Sequence, residues 1–458
     1  MRKKALLALM LVLTLMLSGC ALIVKDQAVD NATEIIRMGD QVITKDKVKE
    51  EIQNELDYNA YYASLLGQAY DATDPQVIAS AQEEAITSLK KDLVLTAKAK
   101  ELGLDQLTDE EEETAKTDAQ ESYDSAIEYI KTNQLKDSEL EGDALTEAAK
   151  AELDKMGVTL DSYLESERKA TIDNKVREYA IKDVAVTDDE INTEYNSRVD
   201  KDKETYTDNA GSWATAANNG TTLYYTPAGV RRVKQILIKF KDEDQTAIDD
   251  AQSRVTEANT AVSTASAKVT AAQSTLEIEG IDEETKSQAQ ADLEAANKEL
   301  EEANKELETA SQAVTDATNK AFDNITADAD EVLAAVNAEG ADWQTIMDEK
   351  NQDPGMKNNE KGYAVAEGMT NFDSAFVDAA MALAKPGDIS DKVKGTSYGY
   401  YIIRYESDEA EGATPLDNVK ETISSALLST KQNDTYNTTV DQWVEEAGIK
   451  VDMNALKD

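Results

Sequence analysis

The chain has 458 residues, with 47 Lys and Arg against 92 Asp and Glu, no His and a single Cys. That excludes histidine acid–base chemistry, histidine metal sites and an intramolecular disulfide, and a net charge of −45 disfavours nucleic acid and anionic lipid headgroups as direct partners. With 41% hydrophobic residues, only 5 Pro and 19 Gly, the composition predicts several folded, mostly helical domains.

Arg2-Lys3-Lys4 precede an uncharged apolar run from Ala5 to Leu17, then Ser18-Gly19-Cys20. This is the pattern of a signal peptide, too short for a comfortable membrane span. Leu17-Ser18-Gly19-Cys20 resembles the bacterial lipobox, which implies that the Cys20 thiol is acylated and becomes the first mature residue. The competing reading is an ordinary secretory signal with a chance Cys, and the position of this lone Cys at the cleavage point weighs against it. Residues 20–33 are then expected to be a tether to the outer face of a membrane.

Residues 34–227 are expected to form a helical module. After a short strand pair or extended entry, a helix is predicted to start at Thr44 as its cap. Thr108-Asp109-Glu110-Glu111 and Thr187-Asp188-Asp189-Glu190 are both capping boxes by spacing. Asp109 to Glu113 could be taken as a metal site, but carboxylates favour the positive end of a helix dipole and no calcium-loop pattern is present, so no metal is expected. Residues 205–229, rich in Asn, Gly and Thr, are expected to be a loop or linker.

Val233, Ile236, Leu237, Ile238 and Phe240 predict a buried strand. From 241 to 325 the pattern changes. Apolar residues recur in steps of three and four from Ile248 to Leu276 and again from Ala289 to Ala321, with Gly280 and Asp282 between them as turn and cap. Two such arms predict an antiparallel coiled-coil hairpin, each about 45 Å long at 1.5 Å per residue. Beyond 326, strands are expected at 362–365, 391–393 and 399–405, a helix at 372–383, and C-terminal helices from a Thr414-Pro415 start to about Ala447.

Val233-Lys234-Gln235-Ile236-Leu237-Ile238, Asp353-Pro354-Gly355, Glu360-Lys361-Gly362-Tyr363, Lys385-Pro386-Gly387-Asp388-Ile389-Ser390 and Tyr398-Gly399-Tyr400-Tyr401-Ile402-Ile403 occur in the order and rough spacing of a parvulin domain. With the lipobox and flanking helices, the chain resembles the PrsA-type foldase lipoproteins of Gram-positive bacteria, whose helical module resembles that of the chaperone SurA. The resemblance implies a mainly α protein with an α+β parvulin domain (228–240 and 326–406). The hairpin at 241–325 is inserted in that domain, and the 34–227 module is completed by 407–458. It implies peptidyl-prolyl isomerisation without cofactor, acting on unfolded or newly secreted polypeptides, with the bilayer engaged through Cys20; a homodimer stays open.

The resemblance also assigns residues. Asp353 falls where parvulins place a Cys or Asp near the twisting bond, and Met369 and Phe376 fall near the proline-binding wall, with Phe372 as a competitor. Gln235 and Tyr401 stand where the family has two His, and Lys361 replaces a usual Leu. Read without the resemblance, Asp353 before Pro-Gly is ordinary turn chemistry, and Met369, Phe376 and Tyr401 are core residues. Three functions compete: an isomerase-foldase, a non-catalytic holdase with a degenerate parvulin domain, and a transporter's solute-binding lipoprotein, which is disfavoured because repeated strand–helix units are absent. Cys20→Ala is expected to release the protein from membranes, measured by detergent-phase partitioning; retention in the membrane phase would refute the anchor.

Overall fold

The computed structural model describes residues 27–457 apart from 358. The signal peptide and Cys20 therefore lie outside the described residues. Among those described, no helix is long and apolar enough to cross a membrane. The described residues divide into two compact units, one formed by those up to Val186 with those from Ser425, the other by Thr187–Ser424. Residues 187–227, expected with the first module, thus lie with the second.

The first unit opens on helix α1 (Gln27–Asn31), within the expected tether. Asp30 of α1 meets Lys45 at 3.1 Å, and Lys45 is only 1% exposed. A buried ammonium needs a counter-charge, which this short helix supplies. Strands β1 (Glu34–Met38) and β2 (Gln41–Thr44) form a hairpin, and β9 (Lys450–Val451) pairs antiparallel to β1 through Ile36 and Val451. Helix α2 (Lys45–Leu65) begins after Thr44, whose hydroxyl bonds the Asp46 carboxylate instead of a backbone N–H.

Helices α3 (Pro75–Leu102), α4 (Asp109–Tyr129), α5 (Gly142–Lys155) and α6 (Leu160–Ile181) follow. The Thr108 box is formed at both ends: Glu111 N–H donates to the Thr108 hydroxyl at 3.2 Å, and Thr108 N–H donates to Glu111 at 2.7 Å. Glu111 also takes Lys175 of α6 at 3.0 Å, and Glu112 is ion-paired with Arg168. The acidic run therefore serves a cap and helix–helix pairs. Arg177 of α6 hydrogen-bonds Asn433 and lies 4.8 Å from the Tyr436 ring centroid, both on the helix α13 (Leu416–Glu446).

The second unit starts with α7 (Asp188–Tyr206), where the Thr187 box is likewise complete. The expected loop at 205–229 instead contains helix α8 (Ala210–Asn218). Its cap is Asn209, its buried face carries Trp213 and Ala214, and Asn218 bonds both the N–H and the C=O of Ala364 at 2.8 Å. Tertiary packing overrides the turn-rich composition here. At Gly211 a Cβ would meet the Gly368 carbonyl carbon at 2.5 Å, so only glycine permits this approach.

The central sheet is antiparallel, in the order β5 (Tyr363–Val365), β4 (Arg231–Lys239), β7 (Gly399–Asp408) and β6 (Val393–Lys394). Alternation along β4 and β7 sends Val233, Leu237, Tyr401 and Ile403 to one face with Phe376 and Val377 of α12 (Ser374–Ala382). Ile236, Ile238, Tyr400 and Ile402 go to the other. Beyond β7, β8 (Gly412–Ala413) pairs with β3 (Tyr225–Thr226). The Thr414 hydroxyl donates to Leu223 C=O at 2.9 Å instead of capping α13.

The predicted arms are α9 (Asp242–Leu276) and α10 (Glu283–Val336), joined through Gly280 (φ +81°) and capped by Asp282. They run antiparallel, with Arg254 on Glu306 at 3.0 Å and Lys268 on Glu299 at 2.5 Å. Buried alanines recur every seven residues, at 251, 258, 265 and 272. α10, however, does not end near 325. It continues into the sheet's second core, where Phe322, Ile325, Ala329, Val332 and Val336 pack with Trp343 and Met347 of α11 (Trp343–Lys350). Ile248 joins the same core, and buried Asp244 accepts both of its hydrogen bonds from Asn324, at 2.8 and 3.0 Å.

The root of the hairpin is therefore core, because Phe322 meets Phe240 and Tyr400 edge to face, with centroids 4.8 and 4.9 Å apart. Excising 256–311 with a short Gly-Ser closure is expected to leave unit 2 unfolding cooperatively. Phe322→Ala is expected to cost about 3–5 kcal/mol in denaturant unfolding, since it empties a buried aromatic site.

Candidate functional site

On the face of the sheet opposite the hairpin root, β4 presents Gln235, Leu237 and Lys239 at alternate positions to a cleft of about 360 Å³. Its other walls include Asp353, Tyr363, Phe372, Asp373, Phe376, Tyr398 and Tyr401. Of the residues assigned by the sequence, Gln235, Asp353, Tyr401, Phe372 and Phe376 are brought together here. Met369 is not among the lining residues; it is buried in the core cluster behind them, and its backbone nitrogen backs onto Gly211.

Asp353 is a hub. Gln235 Nε2 donates to its Oδ2 at 2.7 Å, the Tyr363 hydroxyl to the same oxygen at 2.9 Å, and Gly355 N–H to Oδ1 at 2.8 Å. The turn Asp353-Pro354-Gly355 makes this geometry: Asp caps it, Pro sets its first φ, and a Cβ on Gly355 would lie 2.0 Å from the Tyr363 hydroxyl. Asn351 supports the turn from behind, its Oδ1 accepting from Leu237 N–H at 2.9 Å and Asp353 N–H at 3.1 Å. The Gln352 side chain likewise accepts from Lys239 N–H at 2.6 Å, so side chains cover the part of β4 that β5 does not pair.

A second carboxylate escaped the sequence reading. Asp373 caps α12 through Ala375 N–H at 3.0 Å, and its Oδ2 accepts from Thr396 N–H at 2.5 Å, the Thr396 hydroxyl at 3.0 Å and, at a long 3.4 Å, the Tyr401 hydroxyl. The available signal was a carboxylate before a small-residue helix start, which reads only as a cap. Between the two acids runs an aromatic series, Tyr363–Phe372–Phe376–Tyr401, with centroids 5.0, 5.7 and 5.4 Å apart. No group of three or more potential metal ligands occurs among the described residues.

Both hydroxyls resist ionisation. Burial, followed by the charge of Asp353, pushes Tyr363 well above the usual phenol range. For Tyr401 the causes are burial and then Asp373, with Asp353 also contributing. They therefore remain hydrogen-bond donors throughout the physiological range. Buried at 6% exposure, Gln235 has its Oε1 without a partner while its Nε2 is held by Asp353.

Such a site, an aromatic slot with polar groups fixed at both ends, can desolvate and orient a guest. No family model matches the chain. By sequence the chain is similar to the foldase protein PrsA of Clostridium botulinum (strain Hall), 35% identical over 112 residues, and to foldase protein PrsA 2 of Listeria innocua, 33% identical over 121 residues. These matches span 24% and 26% of the chain and 32% and 40% of those relatives. The resemblance read from the motifs is thus to a PrsA-type foldase, and it extends over about a third of those proteins. Among solved structures, the foldase PrsA of Streptococcus pneumoniae aligns at 15% identity and TM-score 0.23 over 93% of this chain and 97% of that one. A SurA-like chaperone structure from Campylobacter jejuni aligns at 18% identity and TM-score 0.25, over 67% and 80%.

In a spectrophotometric titration, Tyr363→Phe and Tyr401→Phe are each expected to remove one late-titrating phenol. Raised folded-state values mean that their contribution to stability is complete below about pH 10 and is lost as pH rises through those values, so alkaline unfolding of the wild type should be steeper than that of either variant.

Proposed function

We propose that the chain is a lipid-anchored extracytoplasmic foldase whose cleft isomerises Xaa-Pro bonds in newly secreted polypeptides, the helical first unit serving to hold unfolded clients. The observation that carries this reading is the joint placement of Asp353, Gln235 and Tyr401 around a cleft walled by aromatic rings. Rotation about the prolyl amide must overcome about 18–20 kcal/mol of partial double-bond character. In the planar amide, resonance places negative charge on the carbonyl oxygen and positive charge on nitrogen, and the twisted form loses both. An apolar slot with carboxylates near its ends withdraws hydration from the planar form and offers no compensating support to its oxygen. The twisted form is then favoured relative to the ground state.

In this reading Phe372 and Phe376 receive the pyrrolidine ring. Asp353 supplies the fixed negative charge, with Gln235 and Tyr363 keeping it in place. Tyr401 presents a neutral hydroxyl where an imidazole would otherwise titrate. The membrane site follows from Cys20 acylation, and the extracytoplasmic location from the signal peptide before it. One feature favours a second reading, a holdase without catalysis: all the donors around Asp353 are already spent on it, leaving an apolar slot that can bind without turning over.

A prolyl-peptide isomerisation assay separates the two. Activity is expected, nearly flat between about pH 5.5 and 8, because the chain has no histidine, whose imidazole would titrate near 6.5. Asp353→Ala is expected to lower kcat/KM by about tenfold, equivalent to ~1.4 kcal/mol of transition-state stabilisation. Suppressed client aggregation with no detectable isomerisation would select the holdase instead.

A further inference from the structure

We propose that the cleft selects prolyl peptides carrying a Lys or Arg side chain next to the proline, a specificity that rests on the isomerase reading above. Asp353 and Asp373 stand at the two ends of the aromatic series that walls the cleft. Among the described residues, neither carboxylate takes an ion pair. Asp353 is met by the Gln235 amide, the Tyr363 hydroxyl and Gly355 N–H, and Asp373 by the N–H groups of Ala375 and Thr396 and the hydroxyls of Thr396 and Tyr401. Every one of these donors is neutral, so the negative field of both acids is left to whatever enters. That field is felt inside the slot, since both carboxylates contribute to holding the Tyr401 phenol protonated.

One lining side chain opposes it. Lys239 is exposed at the end of β4 and is not ion-paired with either acid. The lining therefore holds two acids to one base, and an acidic guest meets repulsion at both ends of the aromatic series. A basic guest also fits the walls chemically. Its methylene stem lies against apolar surface, and a guanidinium can stack on Tyr398, which lines the cleft at 57% exposure. Arg should for that reason exceed Lys.

The test uses the mature chain with prolyl peptides bearing Arg, Lys, norleucine or Glu before the proline, and a matching set after it. Isomerisation and binding, the latter by fluorescence anisotropy, are both read. The expected order is Arg, Lys, norleucine, Glu in at least one of the two positions. Between Arg and Glu the ratio should be on the order of tenfold at low salt, shrinking several-fold near 1 M salt, where the Debye length is about 3 Å. Asp353→Asn and Asp373→Asn should each reduce that ratio. Asn preserves capping at both places, and circular dichroism with melting checks the fold.

A ratio near or below one in both positions overturns the proposal. So does a ratio unchanged in both Asn variants, which would assign the preference to the overall charge of the chain. The salt series on the wild type decides even if a variant fails to fold: a ratio indifferent to salt overturns the proposal. Absence of turnover with every peptide removes the isomerase reading, and the binding order then still decides whether the cleft prefers a basic neighbour.

Discussion

Strand β4 is the constraint on which the second unit depends. It is buried on both faces for most of its length, and the two-residue period of a strand assigns each side chain to one of two different tasks. Val233, Gln235 and Leu237 look toward the cleft side, whereas Ile236 and Ile238 look toward the root of the hairpin. A register slip of one residue would exchange the two sets and put Ile236 against Asp353. The register is held from both sides. β7 pairs along all nine residues from Arg231 to Lys239, and the amides of Asn351 and Gln352 satisfy the N–H groups that β5 leaves open.

The same strand explains why a long insertion can be tolerated at its end. α9 leaves directly after β4, and α10 returns as one unbroken helix whose last turns, from Phe322 to Val336, cover the sheet. The arms beyond the root bury chiefly alanine, which permits close backbone approach with little apolar area per residue. At the root the residues change to Ile248, Phe322 and Ile325, and the bonds from exposed Asn324 to buried Asp244 fix the alignment. A buried carboxylate with both oxygens satisfied by one amide is a poor partner for any shifted register, because a slip would strand it without a donor.

Within the cleft, the absence of histidine is met by a different kind of polar network. Imidazoles could exchange protons near neutrality; Gln235 and Tyr401 cannot. What they do instead is orient and hold: Gln235 is spent on Asp353, and Tyr401 leans on Asp373. Two glycines make room for this. A Cβ at Gly355 would collide with the Tyr363 hydroxyl, and one at Gly395 would lie 2.6 Å from the Tyr401 ring and 3.0 Å from Asp373. The consequence is a slot with no imidazole to change charge near neutrality.

Where a feature depends on neighbours in sequence, the sequence alone determined it. The capping boxes at Thr108 and Thr187, the hairpin turn at Gly280 with its Asp282 cap, the buried strand at 231–239 and the turn at Asp353 all follow from interactions within a few residues, whose spacing is visible in a linear string. Features that depend on distant partners were decided by the tertiary structure. Asn218 reaches Ala364 across 146 positions to support a helix in a stretch that reads as a loop. Thr44 and Thr414 look like caps, yet their hydroxyls find better partners in Asp46 and Leu223. Met369, next to Gly368 in the close backbone approach to Gly211, is drawn into the core instead of the cleft. Asp373 becomes a site residue only because Thr396 and Tyr401 fold back onto it, and periodicity carries no signal for a pairing of that kind, since the energy comes from desolvated polar groups meeting through space.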